Sequence, residues 1–284
     1  MMSGGWVRSL VGLIGVALLC LTGNLSGQEA TKEAAWDTLA DGLQLGRFKV
    51  DVEAPSGDSV VTVLRVDPHK YTLHLLAKSN TEDKARHTVR KWCEKYNLIA
   101  ATNAGMYAED HTTHIGYMRI SDHINNSRVV KKDYRSVAAF HPFKPNLPPF
   151  RMFDLDETEM DSVLADYASV VQNIRLIKRP GENRWPIKPQ KWSEAALGED
   201  KDGFLLMIFC RSPYTMYEFN EILLSLPIDI VCAQHLEGGP EAQLYLKRGG
   251  TELELTGSYE ANFLKNAANL RVRRIPNVIG ISKK

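Results

Sequence analysis

Between Gly203 and Leu236 the chain reads strand, helix, strand, an order that requires a sheet with a helix laid across one face. The run Gly203-Phe204-Leu205-Leu206-Met207-Ile208-Phe209-Cys210 is apolar and of strand length, and Arg211-Ser212-Pro213 is expected to break it. Thr215-Met216-Tyr217-Glu218 follows as a capping box, in which the hydroxyl and the glutamate satisfy each other's backbone amides. Phe219, Ile222, Leu223 and Leu226 then recur at helical spacing, and Pro227 stops the helix. Ile228-Asp229-Ile230-Val231-Cys232-Ala233 is mostly apolar and β-branched, which predicts an interior strand.

That strand runs into His235-Leu236-Glu237-Gly238-Gly239-Pro240, so a carboxylate sits between a rigid strand and a turn. The two glycines free the backbone for positive φ and for close approach of a ligand. Two readings stand: Glu237 faces a ligand from a well-held position, or it caps amides of its own turn. A second strand-to-turn element occurs earlier. Leu98-Ile99-Ala100-Ala101-Thr102 leads into Asn103-Ala104-Gly105-Met106-Tyr107, followed by the polar run Glu109 to His114 and by Ile115-Gly116-Tyr117.

The remaining elements fill in an α+β architecture. Ser59 to Val66 and Tyr71 to Ala77 read as a hairpin around Asp67-Pro68-His69-Lys70. A helix is expected from Ser79, capped through Glu82 and ended by Asn97, with Ala85, Val89, Trp92 and Cys93 on one face. Asp161 to Val171 reads as helical or irregular, Tyr245 to Leu255 as a hairpin around Gly249-Gly250, and the tail beyond Arg271 as a strand. Together these predict a single domain over residues 58–284 with a mixed sheet, hairpins and packed crossover helices, preceded by a polar lead-in over 28–57. Asn103 and Glu237 are expected at one end of one sheet, in a common cleft.

Residues 1–27 read as a signal peptide: Arg8, then an apolar run from Leu10 to Leu21, then Gly27 before Gln28. The run is too short to span a bilayer, and Leu18-Leu19 is too bulky for lipidation at Cys20. The expectation is a secreted or periplasmic chain without stable membrane insertion. Removing this segment takes away Arg8 and no acid, leaving 34 basic residues against 34 acidic ones, a balance unsuited to tracking nucleic-acid phosphates. Cys93, Cys210 and Cys232 remain, which read as buried thiols, with a Cys210–Cys232 pair as the alternative.

The segments Asn103-Ala104-Gly105-Met106-Tyr107, Ile115-Gly116-Tyr117 and Glu237-Gly238-Gly239 resemble, in order and rough spacing, motifs of the phosphodiester glycosidase family. The resemblance covers roughly residues 58 to 280. The late acid is commonly Asp in that family and is Glu237 here, and Pro240 stands where a small residue is usual. Where family members carry an Arg before a Gly and a strand, this chain has Lys188 to Gly198, which leaves the basic role to Lys191 or Arg211. The resemblance implies an exported hydrolase that cleaves a sugar–phosphodiester linkage in an envelope or extracellular glycan, with no cofactor. The other reading is a glycan-binding protein of the same fold without activity.

Such a reaction builds positive charge on the anomeric carbon and releases a phosphate, so it needs a well-placed carboxyl group and donors for the phosphate. Glu237 is the candidate carboxylate, with Arg211, Lys191 and His235 as donors. Arg211 reads equally as a surface arginine paired with Glu218. Asn103 can hold a sugar hydroxyl, orient Glu237, or simply form an Asx turn. Tyr107 can stack on a sugar or join the core. Gly105, Gly238 and Gly239 allow close approach, and Trp192 and Ser193 either line the pocket or pack. His111 and His114 beside Asp110 are spaced like metal ligands, but lack a helix and a third ligand, so a polar loop is expected.

Overall fold

In the strand Tyr71–Ala77 every second residue is buried and those between are partly exposed, so it needs an apolar partner on one face only. In the computed structural model, which describes residues 36–258 and 271–284, three antiparallel sheets meet that need together. The expected signal segment lies outside the described residues. The first sheet has eight strands in the order β1 (Trp36–Ala40), β2 (Leu43–Lys49), β3 (Val60–Val66), β14 (Leu205–Thr215), β13 (Lys191–Asp200), β15 (Ile230–Gly238), β11 (Arg175–Lys178) and β12 (Glu182–Asn183). The second has five: β7 (His123–Asn126), β6 (Met118–Ile120), β10 (Tyr167–Asn173), β8 (Ser136–Pro142) and β9 (Phe150–Asp154). The third also has five: β17 (Thr251–Thr256), β16 (Gln243–Arg248), β5 (Ala100–Asn103), β18 (Asn277–Lys283) and β4 (Tyr71–Ala77).

The inner faces of all three sheets share one core, with Leu64 and Leu197 from the first, Phe140 and Met152 from the second, and Leu75 and Ile279 from the third. Each outer face carries its own helix. Helix α3 (Met216–Ser225) buries Met216, Phe219, Ile222 and Leu223 against the first sheet, each large side chain contributing about 1.5–3 kcal/mol. Helix α2 (Met160–Asp166) covers the second sheet, and α1 (Val89–Tyr96), through Val89, Trp92 and Cys93, covers the third.

The strand–helix–strand unit forms as its residues dictate. The Thr215 side chain accepts from the Glu218 amide, and Glu218 accepts from the Thr215 amide, so both halves of the capping box are made. β14 and β15 each pair antiparallel with β13 and therefore run parallel to one another, with α3 as the crossover. Pro213 does not break β14; a bulge opposite Trp192 and Glu194 absorbs it, and the strand continues to Thr215. The hairpin of β16 and β17 turns at Gly249-Gly250, with φ of +60° and +79°.

Four expectations are corrected. All strand pairings of the described residues are antiparallel, so the sheets are not mixed. β3 and β4 do not pair: the turn forms, with Lys70 and Tyr71 amides donating to the Asp67 carbonyl, but it carries the chain from the first sheet into the third. Helix α1 begins at Val89, where the Thr88 hydroxyl caps it, because Ser79 is engaged instead with His123. The segment 161–171 is helix only to Asp166 and then becomes β10. In addition, residues 36–49, read as lead-in, supply two strands of the first sheet and bury Leu43, Leu45 and Phe48. Cys93, Cys210 and Cys232 are free and buried. Cys210 packs among the residues under α3 and Cys232 in the shared core, so the first sheet separates them.

Candidate active site

Glu237 lies at the end of β15, where a bulge takes two steps on β15, from His235 to Glu237, against one on β13. Bulges re-aim side chains, and this one falls between the two candidate residues. Gly238 follows with an extended backbone; its lack of a side chain matters because a Cβ would stand 2.7 Å from the Trp192 ring. Positive φ, expected at both glycines, occurs only at Gly239, at +60°. The turn Gly239–Glu241 then carries the chain from the first sheet into β16 of the third.

Asn103 and Glu237 therefore stand on different sheets, not at one end of a single sheet, and Asn103 makes its contacts at the seam where the chain passes from the first sheet into β16 of the third. The Asn103 amide is spent on that seam: its Nδ2 donates to the Glu241 carbonyl at 2.9 Å, and its Oδ1 accepts from the Gln243 amide at 2.8 Å. Asn103 thus positions the turn. The Tyr107 hydroxyl donates to Glu241 Oε2, and burial followed by this carboxylate holds the phenol well above its usual range. Gly105, at φ +149°, admits no Cβ, which would stand 2.2 Å from Asn173 Oδ1 and 2.4 Å from the His114 ring.

His235 is buried, and its Nδ1 lies 2.6 Å from Glu194 Oε1. Burial opposes a charged imidazole, yet the Glu194 carboxylate outweighs it and holds His235 above its usual range. The other Glu194 oxygen accepts from Trp192 Nε1 at 2.8 Å. Beside this pair the Glu237 carboxyl is pushed up to about 8, chiefly by burial and further by the charges of Glu241 and Glu194. His235 and a 3.1 Å bond from the Gly238 amide oppose that rise without cancelling it. A rise of this kind favours the protonated carboxyl near neutral pH, the form that can give a proton. Tyr134, buried nearby, is raised to about 12 by burial and then by Glu237.

The remaining candidates have partners of their own. Lys191 pairs with Glu218 at 3.0 Å, the role that was the alternative reading for Arg211. Arg211 donates to the Thr256 carbonyl at 2.5 Å. Ser193 is buried, its hydroxyl donating to the Arg211 carbonyl at 2.6 Å. His114 is buried with Nε2 2.8 Å from the Gln172 carbonyl, and burial lowers it to about 4. Glu194 and Glu241 were missed by sequence reasoning. The signal for Glu194 was its strand spacing from Trp192; Glu241 had only its place two residues after the glycines.

The model of the phosphodiester glycosidase family matches residues 96–282, more than half of the 284. The chain belongs to this family. The match takes in both strand-to-turn elements and begins later than residue 58, where the sequence motifs placed it. Among solved structures the chain is similar to the catalytic domain of zebrafish N-acetylglucosamine-1-phosphodiester alpha-N-acetylglucosaminidase, auto-inhibited by its pro-peptide. The TM-score is 0.59 at 14% identity, over 88% of this chain and 87% of that one. A hypothetical protein from Synechocystis gives 0.59 at 11% identity, over 88% of this chain and 64% of that one. These likenesses are of fold. Comparison with curated proteins finds no match.

Proposed function

We propose that this member of the phosphodiester glycosidase family hydrolyses the bond between a sugar's anomeric carbon and a phosphodiester, on an exported glycan, with Glu237 as the proton donor. The observation that carries this reading is the buried Glu237 carboxyl, pushed up to about 8, beside Glu241, with the His235–Glu194 pair behind it. Water attacks the anomeric carbon and the bond to the phosphate oxygen breaks, leaving its electron pair on that oxygen. Glu237 gives its proton to that oxygen, and the Glu241 carboxylate takes the proton lost by water. Tyr107 holds one oxygen of Glu241, leaving the other for the water.

A protonated Glu237 also answers an electrostatic difficulty. An anionic phosphodiester entering beside three carboxylates is repelled; the proton removes one charge, and the cationic character of His235 offsets another. The focused carboxyl groups support catalysis over glycan binding alone. Export rests on the apolar run Leu10 to Leu21 and the small residue Gly27.

The test is sugar release by the purified chain from a panel of sugar 1-phosphodiesters. Glu237→Gln should lower turnover on the best substrate at least about a hundredfold, the scale of one lost catalytic group. A fully active Glu237→Gln protein overturns the assignment.

A further inference from the structure

A cleft of about 510 Å³ opens beside the candidate site, and its lining is strongly cationic: Lys131, Lys132, Arg135, Arg175, Arg184 and Lys188, against Asp133 and Asp156. The whole chain has a formal net charge of only +1, so six cations in one cleft are a local concentration, not a consequence of composition. Arg175 is neutralised by Asp154 and Asp156 at 2.7 and 2.6 Å, and Arg184 pairs with Glu182 at 3.0 Å. Among the described residues Lys131, Lys132 and Lys188 form no ion pair, and all three are exposed. A charge excess of this kind in a concave surface raises the local concentration of anions.

Contacts through His235 tie the cleft to the candidate site. Trp185, in its wall, meets Trp192 edge-on at 6.5 Å, and Trp192 meets His235 in the same way at 6.3 Å. Ile174, also in the wall, accepts the His235 amide through its carbonyl at 2.9 Å. Asp133, also in the lining, adjoins Tyr134, whose phenol is raised by burial and then by Glu237.

We propose that this cleft binds an anionic stretch of the substrate beyond the scissile bond. The preferred substrate is then a chain of sugars joined by phosphodiesters, not an isolated sugar 1-phosphodiester. The inference rests on the reaction proposed above. The cleft's volume accommodates one sugar with its phosphate, Trp185 offers a face for the sugar, and the three unpaired lysines receive the phosphate.

The test compares wild type with Lys131→Ala/Lys132→Ala/Lys188→Ala, three exposed positions outside the proposed catalytic groups. The probes are a single sugar 1-phosphodiester, a synthetic trimer of sugars joined by phosphodiesters, and the uncharged trisaccharide. Binding is read from tryptophan fluorescence and turnover from sugar release. The triple variant should bind the phosphodiester trimer about tenfold more weakly, with a shallower salt dependence, and process the single unit at the wild-type rate. Equal trimer affinity in the two proteins overturns the inference, as does wild-type protein binding the uncharged trisaccharide as tightly as the trimer. Weakened trimer binding without turnover of any probe upholds the cleft and removes the reaction, so the two failures are distinguishable.

Discussion

Replacing Glu237 by Gln should inactivate the protein and, above neutral pH, make it more stable. The ordinary value for a glutamate carboxyl is 4.5 and that of folded Glu237 is about 8. The folded state thus holds a proton that the unfolded chain releases. Below pH 4.5 both states are protonated and the shift contributes nothing; between 4.5 and about 8 it costs the folded state stability, and above 8 the full cost is present. Each pH unit across that window is worth about 1.4 kcal/mol, giving an upper bound near 5 kcal/mol. Solvent reaching the half-buried turn screens part of this, leaving about 2–3 kcal/mol. Gln keeps the shape and removes the ionisation, so by thermal unfolding the variant should melt about 4–12 °C above wild type at pH 8.5. At pH 4.5 the two should melt together. Wild-type kcat/KM should fall as pH rises through about 8, where the donor loses its proton. A variant no more stable than wild type at pH 8.5, or wild-type activity that climbs through pH 8, would refute a protonated Glu237.

Four further outcomes are expected. Gly105→Ala should prevent stable folding or cost more than about 3 kcal/mol, since φ is +149° and the new methyl meets Asn173 at 2.2 Å. Gly250→Ala, with nothing within 4 Å, should cost only the roughly 1 kcal/mol of its backbone conformation; chemical denaturation separates the two. Asn103→Ala, which cuts two bonds to the turn bearing Glu241, should lower kcat more than it raises KM while costing about 2–4 kcal/mol of stability. N-terminal sequencing of the exported protein should begin near Gln28, and a lipid on Cys20 would contradict this.

Where local chemistry decides structure, the residues could be read directly. The capping box at Thr215, the apolar spacing of Phe219 to Leu223 and the stop at Pro227 specify α3 without reference to the rest of the chain. Where partner choice decides, they could not. The Asp67 turn looks the same whether its strands pair or part, and only the shared core, which needs Val66 in one sheet and Leu73 in another, settles that they part. Ser79-x-x-Glu82 carries the same capping signature as Thr215, but Ser79 finds a tertiary partner in His123. The site divides likewise. Glu237 and Asn103 were visible because each ends a buried strand beside glycine. Glu194 was not, because its partner His235 lies 41 positions away and is reached only through the pairing of β13 with β15.

The two proposed carboxyl groups hang from different layers: Glu237 from the first sheet, and Glu241 from a turn pinned by Asn103 of the third sheet and by Tyr107 in the segment after it. Their separation is therefore a gauge of how tightly those layers are clasped. Mild denaturant or pressure that lets water into the seam, with every strand still paired, would draw the groups apart and silence turnover before circular dichroism registers any loss. Under the proposed reaction, turnover should therefore be lost when the first and third sheets part at this seam, ahead of the loss of either sheet.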